Sequence, residues 1–357
     1  MERILITGAL GQLGQEFVKY FVKNNIYVLA TDIRSPKNKL NCDFEIANAM
    51  NKNKLNNLIK KYKLNTIYHL VAVLSANGEK NPDYDDIFIF ENDFAALQSN
   101  TPEFKINEGL FQAQSETGNC KVLCFSPDHS KSLADMKVSD IEKVVAVWKY
   151  EYQTLGQRKD INYVQIFENK GSIMGCSNPH PHGQIWSQLS LPNEVIKKDQ
   201  QQKQYFEKNQ SSLLGDYLLQ EQNLNERILF ENDSFMILIP FWAVWPFETM
   251  IAPKRHSQNI GDLNSIESKD FAEAISVITK AYDMLFNTSF PYSSGIHQAP
   301  TNIQDHSHWH WHMSFYPPLL RSATVKKFMV GYELFGTPQR DISPEKATAM
   351  IKQLIIA

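Results

Sequence analysis

Apolar runs alternate with amphipathic stretches along the first eighty residues of the chain. Short and almost continuous apolar runs, typical of buried strands, occur at "RILIT", "YVLATD" and "TIYHLVAV". Between these runs, apolar positions recur with the spacing of one helix face in "QLGQEFVKYFVKN" and "LNNLIKKYK". The pattern predicts a β-α-β-α-β segment of the α/β class over residues 1–80.

The pattern changes near Asn81, where aromatic residues and prolines become more frequent and the sequence begins to repeat. "FENDFAAL" starts at Phe90 and "FENDSFMIL" starts at Phe230. Each copy continues through a histidine-containing turn and an amphipathic helical stretch to a histidine-rich strand, "HPHGQIW" or "HWHMSFY". This predicts two related α+β repeats with antiparallel strands, residues 81–192 and 227–357, joined by a helix-rich connector over residues 193–226.

Three glycines occupy the predicted turn between the first strand and the first helix: Gly8, Gly11 and Gly14. Glycine there permits a tight turn and a close approach of the backbone to a pyrophosphate at the helix N-terminus. Asp32 ends the second predicted strand, where a carboxylate can accept hydrogen bonds from an adenosine ribose. The segment therefore predicts half of a Rossmann-like, NAD-binding fold. A glycine turn that binds no nucleotide is the alternative.

Composition and charge narrow the classes of partner. The chain is 43% hydrophobic and 21% charged, with a net charge of −3, so we expect neither nucleic acid nor a membrane surface as partner. No apolar run approaches the length of a membrane span, and the opening "MERILITG" predicts a strand rather than a signal peptide. Four cysteines without a Cys-x-x-Cys pair predict a reducing, cytoplasmic location.

The stretch "GCSNPHPHGQIW" carries the clearest candidate chemistry. Alternate residues of a strand share a face, so His180, His182 and Gln184 are predicted to point the same way. Pro181 stiffens the chain between the histidines, and Gly183 is expected to leave room for a ligand. An imidazole among neutral hydrogen-bond donors suits attack on a phosphoryl group. Metal binding by the His-x-His pair and a purely structural strand edge remain alternatives.

From Asn81 onward the sequence resembles the galactose-1-phosphate uridylyltransferase family, a double-repeat branch of the histidine-triad superfamily. The matching motifs include "NPDY", "NDFAALQ", "CFSPDHSKSL", "VQIFENKG", "MGCSNPHPHGQIW", "PFWAVWPFETM", "SFPYS" and "FYPPLLRSATVKKFMVGYE". The resemblance implies a nucleotidyltransferase of galactose metabolism that exchanges a uridylyl group between UDP-glucose and galactose 1-phosphate through a uridylyl-histidine. It also implies a homodimer whose sites include residues of both subunits.

The resemblance assigns roles to residues at the matching positions. His182 is implied to be the nucleophile, and its other ring nitrogen is implied to donate to the backbone carbonyl of His180. The residues implied to hold the phosphate oxygens are Gln184, Ser177 and Asn169, and those implied to contact uridine are Asn92 and Asp93. The sugar phosphate is implied to contact a C-terminal segment through Lys327, Phe328, Val330, Gly331, Tyr332, Glu333 and Gln339. Core packing of Phe328 and Val330, and a solvated pair of Lys327 with Glu333, are the alternatives.

The zinc site of the family is represented in part. His129 and His180 match two of its ligands, but the Cys-x-x-Cys half of the site is absent from this sequence. A structural zinc site takes four ligands, so two imidazoles predict weak or partial zinc binding.

A second metal site of the family uses one glutamate and three histidines. His297 and His312 match two of the histidines, while Ser314 and Lys198 stand at the other two positions. A lysine in place of a carboxylate ligand argues against a bound cation, so this site is expected to be empty. Two interpretations of His308 and His310 remain. Either they replace the missing metal ligands, or "HWHWH" is only a half-buried aromatic strand.

Residues 1–80 resemble the start of the extended short-chain dehydrogenases, most closely the L-threonine dehydrogenase branch, in "ITGALGQLGQ", "TDIR" and "HLVAVLSANGEKNP". The catalytic Tyr-x-x-x-Lys of that family does not follow, since no tyrosine here has a lysine four positions later. Hydride transfer is therefore not expected, and NAD binding by half a sheet would be weak. Two classes remain: a uridylyltransferase impaired by loss of its family's first part, or an inactive, mis-joined chain that at most binds a nucleotide.

Overall fold

The computed structural model describes residues 2–36, 40–49, 51–70, 84–176 and 180–356. The chain divides into two compact units, Met1–Lys80 and Asn81–Ala357. Each unit has its own sheet and its own hydrophobic core. Among the predicted site residues, Ser177 lies outside the described part of the chain.

The first unit contains a four-stranded parallel sheet with strand order β3-β2-β1-β4. Its elements in chain order are β1 (Arg3–Thr7), α1 (Gln12–Lys23), β2 (Tyr27–Asp32), β3 (Asp43–Ile46), α2 (Lys52–Tyr62) and β4 (Thr66–His69). The predicted helices and the first two predicted strands are present, and the third predicted strand is present over Thr66–His69; its last three residues, 71–73, lie outside the described part of the chain. The sequence pattern missed β3, because this edge strand has only four residues and mixes polar with apolar side chains.

The residues of β1 alternate between two cores. Ile4 and Ile6 pack with Val18 of α1 on one face of the sheet. Leu5 points to the other face and packs with Leu58 of α2. Because both faces are covered, the central strands are apolar throughout, which is why they are recognisable as continuous runs.

The second unit is built on a large antiparallel sheet covered by helices. Its strands are β5 (Phe88–Glu91), β6 (Lys105–Glu108), β7 (Phe111–Gln114), β8 (Gly118–Cys124), β9 (Tyr163–Lys170), β10 (His182–Gln188), β11 (Ile228–Glu231), β12 (Phe235–Leu238), β13 (Thr249–Pro253), β14 (Tyr292–His297) and β15 (His312–Tyr316). Its α-helices are α3 (Val138–Gly156), α4 (Asn193–Asn209), α5 (Leu213–Leu224), α6 (Ser265–Leu285), α7 (Tyr332–Phe335) and α8 (Pro344–Ile356).

Nine strands form one continuous sheet in the order β11-β12-β13-β15-β14-β9-β10-β8-β5, while β6 and β7 form a separate hairpin. The first repeat supplies β5, β8, β10 and β9, and the second repeat supplies the other five strands. The two repeats join where β9 pairs with β14. The predicted α+β unit with a large antiparallel sheet is confirmed, and both histidine-containing stretches supply strands of this single sheet.

The long helices of the two repeats, α3 and α6, pack against the same core. Trp148 of α3 and Phe271 of α6 are buried together with Ile166 and Ile185 of the sheet. Helix α6 begins with a capping box formed by Asn264 and Glu267. The Asn264 side chain accepts from the Glu267 N–H, and the Glu267 side chain accepts in return from the Asn264 N–H. Within the described residues, no helix combines the length and apolarity needed to cross a membrane.

Candidate active site

His182 begins β10, whose alternate residues point to opposite sides of the sheet. Ile185 faces the helix-side core and is fully buried. Gln184 and Trp186 are half-buried and lie on the same strand face as His182. The strand therefore presents an imidazole, an amide and an indole in a row, away from the core under α3 and α6.

Gly183 lies on the core side of β10. A Cβ atom at this position would come within 2.9 Å of Phe125 Cζ and 3.1 Å of the Phe167 carbonyl oxygen. The expectation that Gly183 leaves room for a ligand is therefore wrong. The missing side chain makes room for the Phe125 ring, which packs beneath the strand.

The backbone of His180 determines which ring nitrogen of His182 is free. His182 Nδ1 lies 2.8 Å from the His180 carbonyl oxygen. A carbonyl oxygen can only accept, so Nδ1 carries the proton and donates. The lone pair is then on Nε2 of a residue that lines a cavity of about 880 Å³. An unprotonated imidazole nitrogen at a cavity surface is an available nucleophile.

His180 itself is buried and engaged through both ring nitrogens. Its Nε2 lies 2.8 Å from the Tyr84 hydroxyl, and its Nδ1 lies 2.7 Å from Nδ1 of His129. Burial, then the nearby imidazoles of His129 and His182, lowers the pKa of His180 to about 4. His180 is therefore neutral at pH 7, and its main contribution to His182 is the backbone carbonyl.

The cavity beside His182 is lined mainly by residues of polar type, and its volume lies in the range of small-molecule sites. Asn169 lines it, and its Oδ1 accepts from the Ser293 hydroxyl at 2.7 Å. This bond orients the amide, so that its nitrogen remains the donating end. Lys170 also lines the cavity and forms a 2.7 Å ion pair with Asp283.

Glu168 is a buried carboxyl group in the cavity lining that was not among the predicted site residues. Tyr292 donates a 3.1 Å hydrogen bond to its Oε2, and the residue is only 5% exposed. Burial raises the pKa of Glu168 to about 7, although the charge of Lys170 and the Tyr292 hydrogen bond oppose the shift. Glu168 therefore changes charge near neutral pH. Its position next to Asn169 in "FENKG" is the signal in the sequence that could have identified it.

We expect Glu168→Gln to stabilise the protein at pH 8. The folded state keeps the proton on Glu168 where the unfolded chain has lost it, so the wild type loses stability as the pH rises from about 4.5 to about 7. Glutamine removes this loss and preserves an acceptor for Tyr292. The free energy of unfolding should be higher in the variant by about 1–3 kcal/mol at pH 8, and the difference should vanish near pH 4.

Urea unfolding at the two pH values measures this difference. Glu207→Gln, a change at an exposed glutamate of α4, is the matched control and should leave stability unchanged at both pH values. A difference between Glu168→Gln and wild type that is independent of pH would contradict the assigned pKa.

Gln184 is oriented by its neighbour on the same strand face. Trp186 Nε1 donates a 2.8 Å hydrogen bond to Gln184 Oε1. The indole N–H can only donate, so the amide oxygen faces Trp186 and the amide NH₂ is the free end of the side chain. The structure thus places a neutral donor two residues from His182, on the same face of β10.

The predicted uridine contacts, Asn92 and Asp93, follow the edge strand β5. Asn92 is tied to the protein through its backbone N–H, which donates to the Cys120 carbonyl at 2.8 Å, and through its Oδ1, which accepts from the Phe94 N–H at 2.9 Å. Asp93 is exposed. Neither residue is among the described residues that line the His182 cavity. Their role stays a prediction.

The predicted sugar-phosphate segment lies apart from this cavity in the single chain. Lys327 forms ion pairs with Glu333 and, at 3.0 Å, with Asp341. Gly331 has a φ of +58°, a conformation that favours glycine before the short α7. The remaining predicted contacts of this segment are exposed: Phe328, Val330, Tyr332 and Gln339. No residue of this segment is among the described residues that line the cavity. Core packing of Phe328 and Val330 is therefore excluded.

The two histidines expected to hold zinc do lie together. Their Nδ1 atoms are only 2.7 Å apart, so the two rings share a proton across a hydrogen bond. His180 also uses its second nitrogen, toward Tyr84. Two imidazoles in mutual contact do not provide the four ligands of a structural zinc site, so the donor set does not fit a tightly bound ion. Weak zinc binding at His129 and His180 stays a prediction.

At the second predicted metal site, a lysine supplies positive charge among the histidines. His297 and His312 have ring centroids 4.9 Å apart on the paired strands β14 and β15. Burial, and after it the charge of Lys198, holds the pKa of both imidazoles well below the usual range. With Lys198 and Ser314 in place of two ligands, the donor set does not fit a divalent cation.

The other histidines of "HSHWHWH" have separate surroundings. His310 is structural: its Nδ1 lies 3.0 Å from the Ser212 hydroxyl and its Nε2 lies 2.9 Å from the Pro253 carbonyl. His308 contacts Asp199 of α4 instead, and His306 lies beside the same carboxylate. These three possible ligands lie within 4.8 Å of one another. No sequence motif indicates this group, because Asp199 is 109 positions away from His308 in the chain.

In the first unit, the three glycines shape the turn between β1 and α1. Gly8 has a φ of +69°, and a Cβ at Gly14 would come within 2.3 Å of the Gly8 carbonyl oxygen. The Gly11 N–H also donates to that oxygen. Asp32 is buried and accepts from the Leu10 N–H at 3.1 Å, so its carboxylate already supports the turn. NAD contact at these residues stays a prediction.

Comparison with solved structures defines the class of the second unit. The chain is similar to a solved uridylyltransferase with a TM-score of 0.71 and 27% sequence identity, over 76% of this chain and 86% of that one. The large antiparallel sheet of the second unit is thus the fold of a uridylyltransferase, a class of nucleotidyltransferase.

Comparison with family profiles and curated proteins is more specific. The family described as "Galactose-1-phosphate uridyl transferase" matches with its N-terminal domain over residues 45–192 and with its C-terminal domain over residues 198–356. The galactose-1-phosphate uridylyltransferase of Haemophilus influenzae is 50% identical over 78% of this chain and 79% of its own length. That of Schizosaccharomyces pombe is 43% identical over 81% and 83%. The chain belongs to the galactose-1-phosphate uridylyltransferase family.

Proposed function

We propose that this protein transfers a uridylyl group between UDP-glucose and galactose 1-phosphate through a covalent intermediate on His182. One observation carries the assignment of the nucleophile. The His182 Nδ1–H donates to the His180 carbonyl oxygen at 2.8 Å, which leaves the Nε2 lone pair for a ligand in the adjacent cavity. Family membership supplies the substrates.

In the first step, His182 Nε2 attacks the α-phosphorus of UDP-glucose. A nitrogen–phosphorus bond forms, the bond from phosphorus to the bridging oxygen breaks, and glucose 1-phosphate leaves with the electron pair. The imidazole becomes positively charged because Nδ1 keeps its proton. The His180 carbonyl accepts from that proton, and this hydrogen bond strengthens as the charge develops.

In the second step, a phosphate oxygen of galactose 1-phosphate attacks the same phosphorus and the bond to His182 breaks. UDP-galactose is released, and His182 returns to its starting tautomer. Both transition states place extra negative charge on the non-bridging oxygens, for which the Gln184 and Asn169 amides are the proposed donors. The amides of Gln184 and Asn169 are oriented by Trp186 and Ser293 respectively.

The test is to incubate the purified full-length protein with UDP-glucose alone. Intact-mass spectrometry should find one uridylyl group added per active site, with one equivalent of glucose 1-phosphate released. Addition of galactose 1-phosphate should then remove the label and yield UDP-galactose. A protein that gains no mass and releases no glucose 1-phosphate would instead be the inactive, at most nucleotide-binding chain left open by the sequence.

We further propose a homodimer in which the segment over residues 327–339 of one protomer completes the cavity of its partner. Phe328 is 39% exposed, Val330 58% and Tyr332 63%. A cluster of exposed apolar and aromatic side chains is unusual on the surface of a monomer. The cluster lies next to Lys327, which is held in an ion pair. Exposure of these side chains in the single chain is what a segment that contacts a second subunit requires.

Co-expression of two impaired variants tests this arrangement. His182→Asn and a Phe328→Ala/Tyr332→Ala variant should each have low activity alone. A mixed dimer contains one cavity with intact His182 and an intact partner segment, so statistical mixing should restore about a quarter of wild-type activity. If the mixture is no more active than the average of the two variants, the segment does not act across the subunit boundary.

A further inference from the structure

Asp199, His306 and His308 bring three metal-binding atoms to one place, outside the proposed active site. Asp199 belongs to α4, whereas the two histidines belong to the loop between β14 and β15. Asp199 Oδ1 lies 2.8 Å from His308 Nε2 and 3.6 Å from His306 Nδ1. None of the three is among the residues that match the metal sites of the family.

The nitrogen of His306 that faces Asp199 makes no hydrogen bond within the part of the chain that the structure describes. His306 Nε2 lies 2.5 Å from Asn302 Oδ1, an oxygen that can only accept, so Nε2 carries the proton. In the neutral ring, His306 Nδ1 is then a lone pair, and this buried atom has no hydrogen-bond partner among the described residues.

This arrangement is unfavourable as it stands. A buried lone pair points toward a carboxylate oxygen 3.6 Å away, so two electron-rich atoms face each other in a site with little solvent. Hydrogen bonds explain the position of the Asp199 carboxylate, which accepts from His308 and, at 2.6 Å, from Trp309 Nε1. They do not explain the orientation of His306. A cation between the three atoms would.

The distances from Asp199 Oδ1 to the two histidine nitrogens suit zinc. Bonds of about 2.0–2.1 Å in tetrahedral geometry place ligand atoms about 3.3 Å apart, and the observed 2.8 Å and 3.6 Å lie on either side of this value. Ligating groups are commonly held by outer hydrogen bonds, and here Asn302 holds His306 while Trp309 holds Asp199. Asp199 is 26% exposed in its side chain, so an ion can enter from solvent.

We propose that Asp199, His306 and His308 bind one Zn²⁺ per chain, with a fourth position open to water. The ion takes the place of the proton through which His308 Nε2 donates to Asp199, and that proton is released to solvent or moves to His308 Nδ1. The ion would link α4 of the connector to the loop that leads into β15. The site is independent of the uridylyl transfer proposed above, since it uses neither His182 nor any residue of the cavity.

Metal analysis of the purified, zinc-loaded full-length protein after exhaustive dialysis is the first measurement, and we expect one ion per chain. Cobalt substitution should produce the visible absorption of a four-coordinate site. His306→Asn keeps both hydrogen bonds to Asp199 and should lower zinc affinity by at least about 100-fold. Asn302→Ala, which leaves all three ligands in place, should lower it by about 10–100-fold.

His256→Asn is the matched control. His256 is exposed and its Nε2 lies 2.8 Å from the Trp309 carbonyl oxygen, so it shares the neighbourhood without offering a ligand to the group. This variant should bind zinc like the wild type. Zinc should also raise the midpoint of thermal unfolding of the wild type and of His256→Asn by about 5 °C, but not that of His306→Asn.

Two results would overturn the proposal. One is a wild-type protein that retains no zinc after dialysis and shows no cobalt spectrum. The other is an ion that survives in a folded His306→Asn variant but is lost in His129→Asn, because the bound metal would then belong to the His129 and His180 pair. Circular dichroism of each variant establishes that it is folded before its metal content is interpreted.

Discussion

His182→Asn should abolish uridylylation by UDP-glucose and reduce turnover with galactose 1-phosphate by at least about 10⁴-fold. The asparagine amide can still donate to the His180 carbonyl oxygen, so the local backbone should be preserved. It has no basic nitrogen to attack phosphorus, so the covalent route is lost. The measurements are the intact mass after exposure to UDP-glucose and the rate of UDP-galactose formation.

His256→Asn is the control for this experiment, because it makes the same substitution at an exposed histidine outside the cavity. It should be labelled at the wild-type rate. Labelling that persists in folded His182→Asn would assign the nucleophile to another group in the cavity, such as Lys131 or Cys176, and peptide mapping would identify it.

Gln184→His should change the fate of the uridylyl-enzyme. In the wild type, an amide donor two residues from His182 can hold a non-bridging oxygen without offering a proton to the leaving group. An imidazole at this position could protonate a leaving group and open the intermediate to water. It would also lose the hydrogen bond by which Trp186 holds the Gln184 oxygen. We expect transfer to galactose 1-phosphate to fall by about 100-fold or more, and the ratio of UMP release to transfer to rise.

Single-turnover partitioning of the isolated uridylyl-enzyme, with and without galactose 1-phosphate, measures this ratio. Gln188→His is the matched control, since Gln188 lies four residues further along the same strand face of β10. That variant should partition like the wild type. Equal partitioning in Gln184→His and the wild type would mean that Gln184 only fills space beside the strand.

Local patterns in the sequence were sufficient for much of the architecture. The continuous apolar runs of β1 and β2 reflect a sheet covered on both faces, and such runs depend only on neighbouring residues. The alternation of His182 and Gln184 likewise predicted a shared strand face, because the side-chain period of a strand is two. The internal repeat indicated one histidine-containing strand in each repeat, because each copy leads from a helical stretch to such a strand.

The sequence did not determine which side of the sheet each of these residues faces. Periodicity shows that His182 and Gly183 point to opposite sides, but only packing against Phe125 shows that Gly183 is on the core side. The exposure of Phe328 and Val330 could not be predicted for the same reason, since an apolar residue can lie in a core or at a subunit contact.

The sequence by itself therefore determined the two kinds of unit, their main helices and strands, the family and the candidate nucleophile, because these depend on local periodicity and contiguous motifs. Tertiary structure decided which side of β10 faces the core, the shifted pKa of Glu168 and the meeting of Asp199 with His306 and His308. Each depends on burial or on contacts with other parts of the folded chain. Asp199 and His308 are 109 positions apart, and only the packing of α4 beside the loop before β15 brings their atoms within 2.8 Å.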